Sequence, residues 1–347
     1  MQTKNKITKN DRLVLPMPFI PSARTQIAID SGVEKNLLFR TWGGLGDQIC
    51  AEPTLRYVLE KFKGTTISLE SELPSLFNHL KFDRVFDYTK KDKANHDEFL
   101  VFETITPPDE SNLVWQFFSH MLTNCVDFPT LCSVRSTLPI EYKHVVLKPS
   151  EDDYKKARMF NEAFPNAVYI HAGKHWQSKT FPEDWWNSVI EGLLSKGLTP
   201  VLIGANTDDN RATVNVDATN CIDLRNKLTV MESVAHLHLG KVLLTNDSSP
   251  MHMAVSHNPD LPNECKTWIG FIATCKHPDH ITHWRYGKWS WRQENLGLDG
   301  IWNYISNCPN KEEKVEVENI GDILLKCLPK PNVMVEWAND RVKNFSN

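Results

Sequence analysis

The sequence lacks the motifs that commonly accompany a bound metal or a nucleotide cofactor. It contains no Asp-x-Asp pair and no His-Glu-x-x-His motif, so no dedicated metal site is predicted. The 8 cysteines are scattered and form no Cys-x-x-Cys pair, which argues against a zinc or redox site and for an intracellular chain with reduced thiols. A complete Gly-x-Gly-x-x-Gly motif and a P-loop lysine are also missing, so neither a dinucleotide nor a P-loop nucleotide site is indicated.

Long hydrophobic runs are absent as well. No apolar stretch approaches the roughly 20 residues that a membrane-spanning helix needs, and Pro16, Pro18 and Pro21 interrupt the first apolar stretch. We therefore expect a cytoplasmic protein with no integral membrane segment, and peripheral attachment at the inner face of a membrane stays open. The net charge of −4 argues against a surface devoted to nucleic acid.

Short apolar runs and amphipathic stretches alternate along most of the 347 residues. This alternation predicts an α/β protein with two Rossmann-like, doubly wound domains that face each other across a cleft. A change of composition at Pro149–Asp153 divides the chain into residues 1–150 and 151–330, followed by a helix within 331–347. The predicted strands are 36–41, 65–69, 84–87, 99–103, 167–171, 199–204, 221–224, 242–244 and 267–273. Helices are predicted after residue 46 and at 73–80, 114–126, 154–164, 182–194, 229–239 and 332–345.

The stretch Lys241–His252 is the most informative part of the second half. Val242–Leu244 is typical of a buried parallel strand, and the polar residues 245–249 and Pro250 are typical of a loop that begins a helix. A strand, loop and helix in this order present backbone N–H groups to an anion, commonly a phosphate. An ordinary capped turn between a strand and a helix would give the same pattern.

A glycine-rich elbow follows the first predicted strand. It consists of Trp42, Gly43, Gly44 and Gly46, and Asp47 stands directly after it at the start of a helix. Because ligands of open α/β sheets bind at the carboxyl ends of the strands, the elbow and its carboxylate are candidates for a site. Asp47 could equally do no more than cap the helix.

These features suit sugar transfer from a nucleotide sugar. Lys179 lies on the loop after the strand 167–171, so the lysine and the loop 247–252 would point into one cleft. Together they could hold a diphosphate without a metal and stabilise it as a leaving group. Asp47, on the opposite wall, could act as general base toward an incoming hydroxyl.

Three motifs resemble those of glycosyltransferase family 9, the heptosyltransferase-type enzymes. They are Leu45-Gly46-Asp47 with Pro53 and Leu55, the run from Trp176 to Trp185 around Lys179, and Asn246-Asp247-Ser248-Ser249-Pro250-Met251-His252. The resemblance touches most of residues 36–257. One departure is Ser249, which stands where the family commonly has a glycine.

The resemblance implies a GT-B fold and an inverting, metal-independent transfer from a nucleoside-diphosphate sugar, with no other cofactor. It implies that Asp47 is the general base, that Lys179 contacts the donor phosphates and that Asp208 contacts the ribose. The residues of the donor diphosphate loop would be Asp247, Ser248, Ser249 and His252. It also implies a C-terminal helix that packs back on the first domain.

The segment 274–291 has no counterpart in the resemblance. It is rich in His, Trp, Arg and Lys. Trp284 and Trp289 could stack on a sugar ring or a base, with Arg285 on a phosphate. A packed aromatic loop that covers the second domain explains the same composition.

Alternatives to the leading hypothesis remain open at this point. The expected acceptor is a glycan or glycolipid, but a modified DNA or a protein would suit the same enzyme class. A catalytically inactive nucleotide- or sugar-binding module on the same fold is a further alternative. The presence of both Asp47 and Lys179 argues against such a module, because binding alone needs no general base.

Overall fold

The computed structural model describes residues 36–41, 43–61, 66–90, 93–103, 142, 144–174, 179–205, 213–261, 266–273, 292–297 and 328–345. Within these residues the chain forms two parallel sheets, so the predicted α/β class is confirmed. The predicted helix 114–126 lies outside the described residues. No helix in the described parts of the chain is both long enough and apolar enough to cross a membrane.

The first sheet has four parallel strands in the order β3-β2-β1-β4. Its elements in chain order are β1 (Asn36–Thr41), α1 (Leu45–Lys61), β2 (Thr66–Ser71), β3 (Arg84–Asp87) and β4 (Leu100–Glu103). Two short 3-10 helices, Pro74–Phe77 and His96–Glu98, connect the later strands. The first of them replaces the helix predicted at 73–80.

The second sheet has six parallel strands in the order β10-β9-β8-β5-β6-β7. Its strands are β5 (Ala167–His171), β6 (Thr199–Leu202), β7 (Ile222–Asp223), β8 (Val242–Asn246), β9 (Trp268–Ile272) and β10 (Gln293–Asn295). Its helices are α2 (Glu151–Ala163), α3 (Glu183–Ser195), α4 (Val230–Leu239), α5 (Ser249–Val255) and α6 (Pro331–Lys343).

Capping residues fix where two of these helices begin. The Ser150 side chain accepts a hydrogen bond from the Asp153 backbone N–H, and Asp153 accepts one from the Ser150 N–H in return. Thr229 and Glu232 make the same reciprocal pair before α4. Each pair satisfies N–H groups at a helix start. The capping box explains why α2 begins at Glu151, three residues before the predicted start.

One apolar core connects the two sheets. It contains Phe39 and Leu69 from the first sheet, Leu55 from α1, and Tyr169 and Leu243 from the second sheet. Residues of α5, between these parts, belong to the same core. Because the core runs through α1 and α5, the first turns of these two helices have a fixed relation to one another.

A buried carboxylate, that of Glu52, links α1 to the segment around Val146 that precedes the second sheet. Glu52 of α1 accepts hydrogen bonds from the Val146 backbone N–H (2.7 Å) and from Arg56 (2.9 Å), and its Oε1 lies 3.2 Å from His79 Nε2. Burial alone would raise the pKa of Glu52, but the hydrogen bond to His79 and the charge of Arg56 outweigh it, so the pKa lies below its usual value. Val146 also forms a parallel bridge with His257.

Helix α6 packs on the second sheet. Its Val335 lies against Gly192 of α3, and its Trp337 lies against Gly270 of β9. The resemblance implied that this helix would return to the first domain; the element contacts given for it within the described residues are with α3, β8 and β9. Apart from Asn339, the buried side chains of α6 are apolar and belong to the same core cluster as those of α3, so the helix completes that layer.

Candidate active site

The elbow after β1 leads into α1 and the loop after β8 leads into α5, and these two helices pack against each other. A Cβ atom at Gly46 would lie 3.3 Å from Cδ2 of His252 and 3.7 Å from Cα of Ser249. Only a residue without a side chain permits this approach without displacing the histidine. The structure therefore brings the glycine elbow and the loop after β8 into direct contact.

The elbow leaves its carboxylate exposed. Gly43 has φ of 96°, a backbone conformation that favours glycine. Asp47 is exposed in the first turn of α1, and its Oδ2 accepts a hydrogen bond of 3.2 Å from the Gly44 N–H. The buried Gln48 donates to the Gly43 carbonyl (3.3 Å) and accepts from the Ser71 hydroxyl (3.2 Å). Asp47 thus contacts the elbow backbone and remains open to solvent.

Lys179 and Asp247 form a close ion pair. The distance from Nζ to Oδ2 is 2.6 Å, and the side chains are only 16% and 6% exposed. The lysine comes from the loop after β5 and the aspartate from the loop after β8. Since the pair is largely shielded from water, it fixes both charges in place more firmly than a surface ion pair would.

Asn246 connects the same two loops. Its side-chain amide donates to the Gly173 carbonyl (3.0 Å) and to the Lys179 carbonyl (2.7 Å). Asn246 is 3% exposed and is the last residue of β8. The motif includes Asn246 without indicating this role; a polar residue close after the predicted apolar strand 242–244 was the available signal.

His171 contacts the loop after β8, and the sequence did not predict this contact. Its Nδ1 lies 3.0 Å from the Ser248 hydroxyl. Burial lowers the pKa of His171 to about 4, against an opposing hydrogen bond with Asn246, so the imidazole is neutral near pH 7. A Cβ atom at Gly173 or at Gly204 would lie within 2.8 Å of its ring. The two glycines therefore leave the space that the imidazole fills.

The loop differs from the prediction in one respect. Ser248 precedes α5 but makes no side-chain capping bond, because its hydroxyl contacts His171 and the Asn246 carbonyl instead. Ser249 is the first residue of α5 and lies against Gly46. Helix α5 itself has only seven residues. Fixed side chains around the loop, more than a long helix dipole, supply its electrostatics.

Several predicted site residues cannot be placed. Trp42, Asp208, Trp284, Arg285 and Trp289 lie outside the described residues. The structure brings together the other members of the predicted site: Gly43, Gly44, Gly46 and Asp47 on one side, and Lys179, Asp247, Ser248, Ser249 and His252 on the other.

The sequence profile of glycosyltransferase family 9 (heptosyltransferase) matches residues 105–259. This region is similar to glycosyltransferase family 9. It includes Lys179 and the complete loop from Asn246 to His252, the two motifs on which the resemblance in the second half rested. No curated protein sequence matches the chain significantly.

Three solved structures share the fold. A glycosyltransferase family 9 protein from Veillonella parvula has 12% identity and a TM-score of 0.50, over 89% of this chain and 97% of its own. ADP-heptose LPS heptosyltransferase II of E. coli has 12% identity and a TM-score of 0.50, over 84% and 99%. The iron-containing glycosyltransferase TibC of enterotoxigenic E. coli has 14% identity and a TM-score of 0.55, over 90% and 77%.

At these identities the structural likeness establishes the fold, which is that of the heptosyltransferases. Together with the family match, it makes this chain a glycosyltransferase whose transferred sugar is left open.

Proposed function

We propose that this protein transfers a sugar from a nucleoside-diphosphate sugar to an acceptor hydroxyl, with inversion at the anomeric carbon. The observation that carries this proposal is the contact between Gly46 and His252. It sets the exposed carboxylate of Asp47 beside the loop whose motif resembles a donor diphosphate site. A base and a leaving-group site on facing walls are what a single displacement requires.

In the proposed step Asp47 accepts the proton of the acceptor hydroxyl. The acceptor oxygen forms a bond to the anomeric carbon while the bond from that carbon to the diphosphate oxygen breaks. The electron pair of the broken bond leaves with the nucleoside diphosphate. Because attack and departure occur on opposite faces of one carbon, the configuration inverts.

Lys179 and the loop from Asp247 to His252 stabilise the negative charge that develops on the leaving group. A lysine within an ion pair can serve a diphosphate when the new anion shares its ammonium with Asp247. The ribose contact of Asp208 belongs to the same proposal and rests on the motif alone. TibC was solved in complex with ADP-D-beta-D-heptose, so ADP-heptose is the first donor to test.

Metal independence is part of the proposal. TibC is described as iron-containing. Among the residues that the present structure describes, no group of three or more His, Cys, Asp or Glu side chains converges as a metal site. The described residues of the proposed site therefore do not fit an iron centre. The proposed leaving-group stabilisation relies on Lys179 instead.

The first sheet favours a glycan acceptor over a modified DNA. Asp47 and Glu72 place carboxylates beside the carboxyl ends of its strands, whereas the carboxylate of Asp87 at the end of β3 is paired with Lys90. Glu72 is half-buried and accepts a hydrogen bond from Gln48. Carboxylates accept hydrogen bonds from sugar hydroxyls and repel the phosphates of nucleic acid. A hydroxyl-rich acceptor therefore suits this edge.

The test is binding and hydrolysis of a panel of nucleotide sugars, ADP-heptose among them, in the presence of EDTA. We expect one donor to bind, Lys179→Met to weaken it, and Asp47→Asn to keep binding but lose turnover. Added Fe(II) should not raise the rate. The proposal fails if no nucleotide sugar binds, and its metal-independent part fails if EDTA abolishes turnover that Fe(II) restores.

A further inference from the structure

Cys50 is a buried thiol beside the proposed site to which no role has been assigned. It is 7% exposed and lies on α1 one turn after Gly46, so both residues share the helix face that contacts α5. Its Sγ lies 3.7 Å from Nδ1 of His252, which is carried by α5. The imidazole of His252 therefore rests on α1 at two points, although it belongs to the other half of the chain.

The two contacts distinguish the two ring nitrogens. Nδ1 faces the thiol, whereas Nε2 lies on the elbow side, 3.7 Å from where a Cβ of Gly46 would be. A neutral imidazole carries one proton, and the hydrogen bond made by one nitrogen decides which nitrogen holds it. A thiol that donates to Nδ1 leaves the proton on Nε2.

We propose that Cys50 is a positioning residue for His252. Its thiol donates to Nδ1 and fixes the proton on Nε2, which then donates to the diphosphate of the donor as the bond to the sugar breaks. This inference rests on the proposed function, because it takes His252 as part of the donor site. It adds that the acceptor-side helix prepares a donor-side group, so the two walls of the site act together.

The first measurement concerns the tautomer and needs no substrate. In the full chain labelled with ¹⁵N-histidine, a long-range ¹⁵N–¹H correlation reports which ring nitrogen is protonated, and His252→Gln identifies the signal among the 13 histidines. We expect the Nε2–H form in the natural chain and in Cys50→Ser, and a mixture of forms in Cys50→Ala. Cys221→Ala is the matched control, since Cys221 is the other cysteine among the described residues and lies before β7.

The second measurement is turnover of ADP-heptose. Loss of one modest hydrogen bond to His252 predicts a fall in kcat of about fivefold in Cys50→Ala, with KM little changed. Cys50→Ser should recover most of the rate, and Cys50→Ala should cost nothing further in a His252→Gln background. Cys221→Ala should leave kcat unchanged.

The outcomes separate the two proposals. If the natural chain turns over no nucleotide sugar, the proposed function fails, while the tautomer measurement still decides the contact between Cys50 and His252. An unchanged tautomer in Cys50→Ala overturns this inference. So does a changed tautomer with unchanged kcat in a chain that is active. If Cys50→Ala does not fold, Cys50→Val replaces it in both measurements.

Discussion

The glycine elbow and the loop after β8 each connect the carboxyl end of a parallel strand to a helix, yet they are built differently. The loop is held by Asn246, by the contact between His171 and Ser248, and by the buried ion pair of Lys179 and Asp247. The elbow carries an exposed Asp47 with one hydrogen bond to its own backbone. If the proposed function holds, this difference makes the proposed donor loop preorganised and leaves the proposed base, Asp47, open to the acceptor.

The largest effect should follow from a change at the elbow. Asp47→Asn removes the proposed base without disturbing packing, because the side chain is exposed. We expect kcat to fall by about 10²- to 10⁴-fold and the donor dissociation constant to stay nearly constant. Steady-state kinetics and calorimetric titration measure the two quantities. Asp97→Asn, an exposed acid before β4, is the control, and an unaffected kcat would remove Asp47 from the mechanism.

A change in the loop should affect binding and stability together. Lys179→Met removes the ammonium from Asp247 and from the donor phosphates, so we expect donor affinity to fall by about 10- to 100-fold. The melting temperature should fall as well, because a buried carboxylate loses its partner charge. In Lys179→Met/Asp247→Asn we expect the melting temperature to recover and donor affinity to stay low. Recovery of both would mean that the lysine acts only on the fold.

Acid should destabilise the protein through buried histidines of the second half. Burial lowers the pKa of His171 and His236 to about 4 and that of His238 to about 3, each from 6.5. Between pH 6.5 and 4 the unfolded chain binds protons on these rings and the native chain does not. The free energy of unfolding therefore decreases as pH falls through this window, by up to about 1.4 kcal/mol per pH unit for each histidine.

Urea unfolding at steps from pH 7 to pH 4.5 measures this slope. His171→Asn keeps a polar group beside Ser248 but cannot titrate, so the slope should decrease by one histidine's share. An identical slope in the variant would contradict the assignment of a neutral, buried His171.

The smallest effect on stability is expected for Gly46→Ala, at the contact between the elbow and the loop after β8. Gly46→Ala places a Cβ 3.3 Å from His252, while alanine favours a helix over glycine by up to about 1 kcal/mol. These terms oppose each other, so the free energy of unfolding should change by less than about 1 kcal/mol. Turnover should still decrease, because the histidine is displaced.

Gly192→Ala is the matched control for Gly46→Ala, because it also adds a Cβ to a glycine in a contact between two helices. Its Cβ would lie 2.6 Å from Val335 Cγ2, in the contact between α3 and α6 and not between α1 and α5, so stability should decrease while kcat is retained. Equal losses of kcat in both glycine variants would show that the Gly46 contact has no special role.

Much of the fold could be predicted from local pattern. The strands Asn36–Thr41, Arg84–Asp87 and Ala167–His171 were predicted to the residue, because apolar runs bounded by polar or glycine residues leave few alternatives. The short helix predicted at 73–80 became a 3-10 turn, since Pro74 and only two buried side chains support a single turn. The C-terminal helix was recognised, but its packing on α3 depends on shape that its own sequence does not specify.

The sequence alone determined which residues are candidates for the chemistry: the glycines and carboxylate of the elbow, Lys179, and the run from Asp247 to His252. Their types and spacing are local properties, so a motif can reveal them. Only the tertiary structure decided that Lys179 pairs with Asp247, that His171 supports Ser248, and that Cys50 and Gly46 hold His252. Each of these contacts joins residues far apart in the chain, and the packing of two sheets around a shared core sets the distances between them.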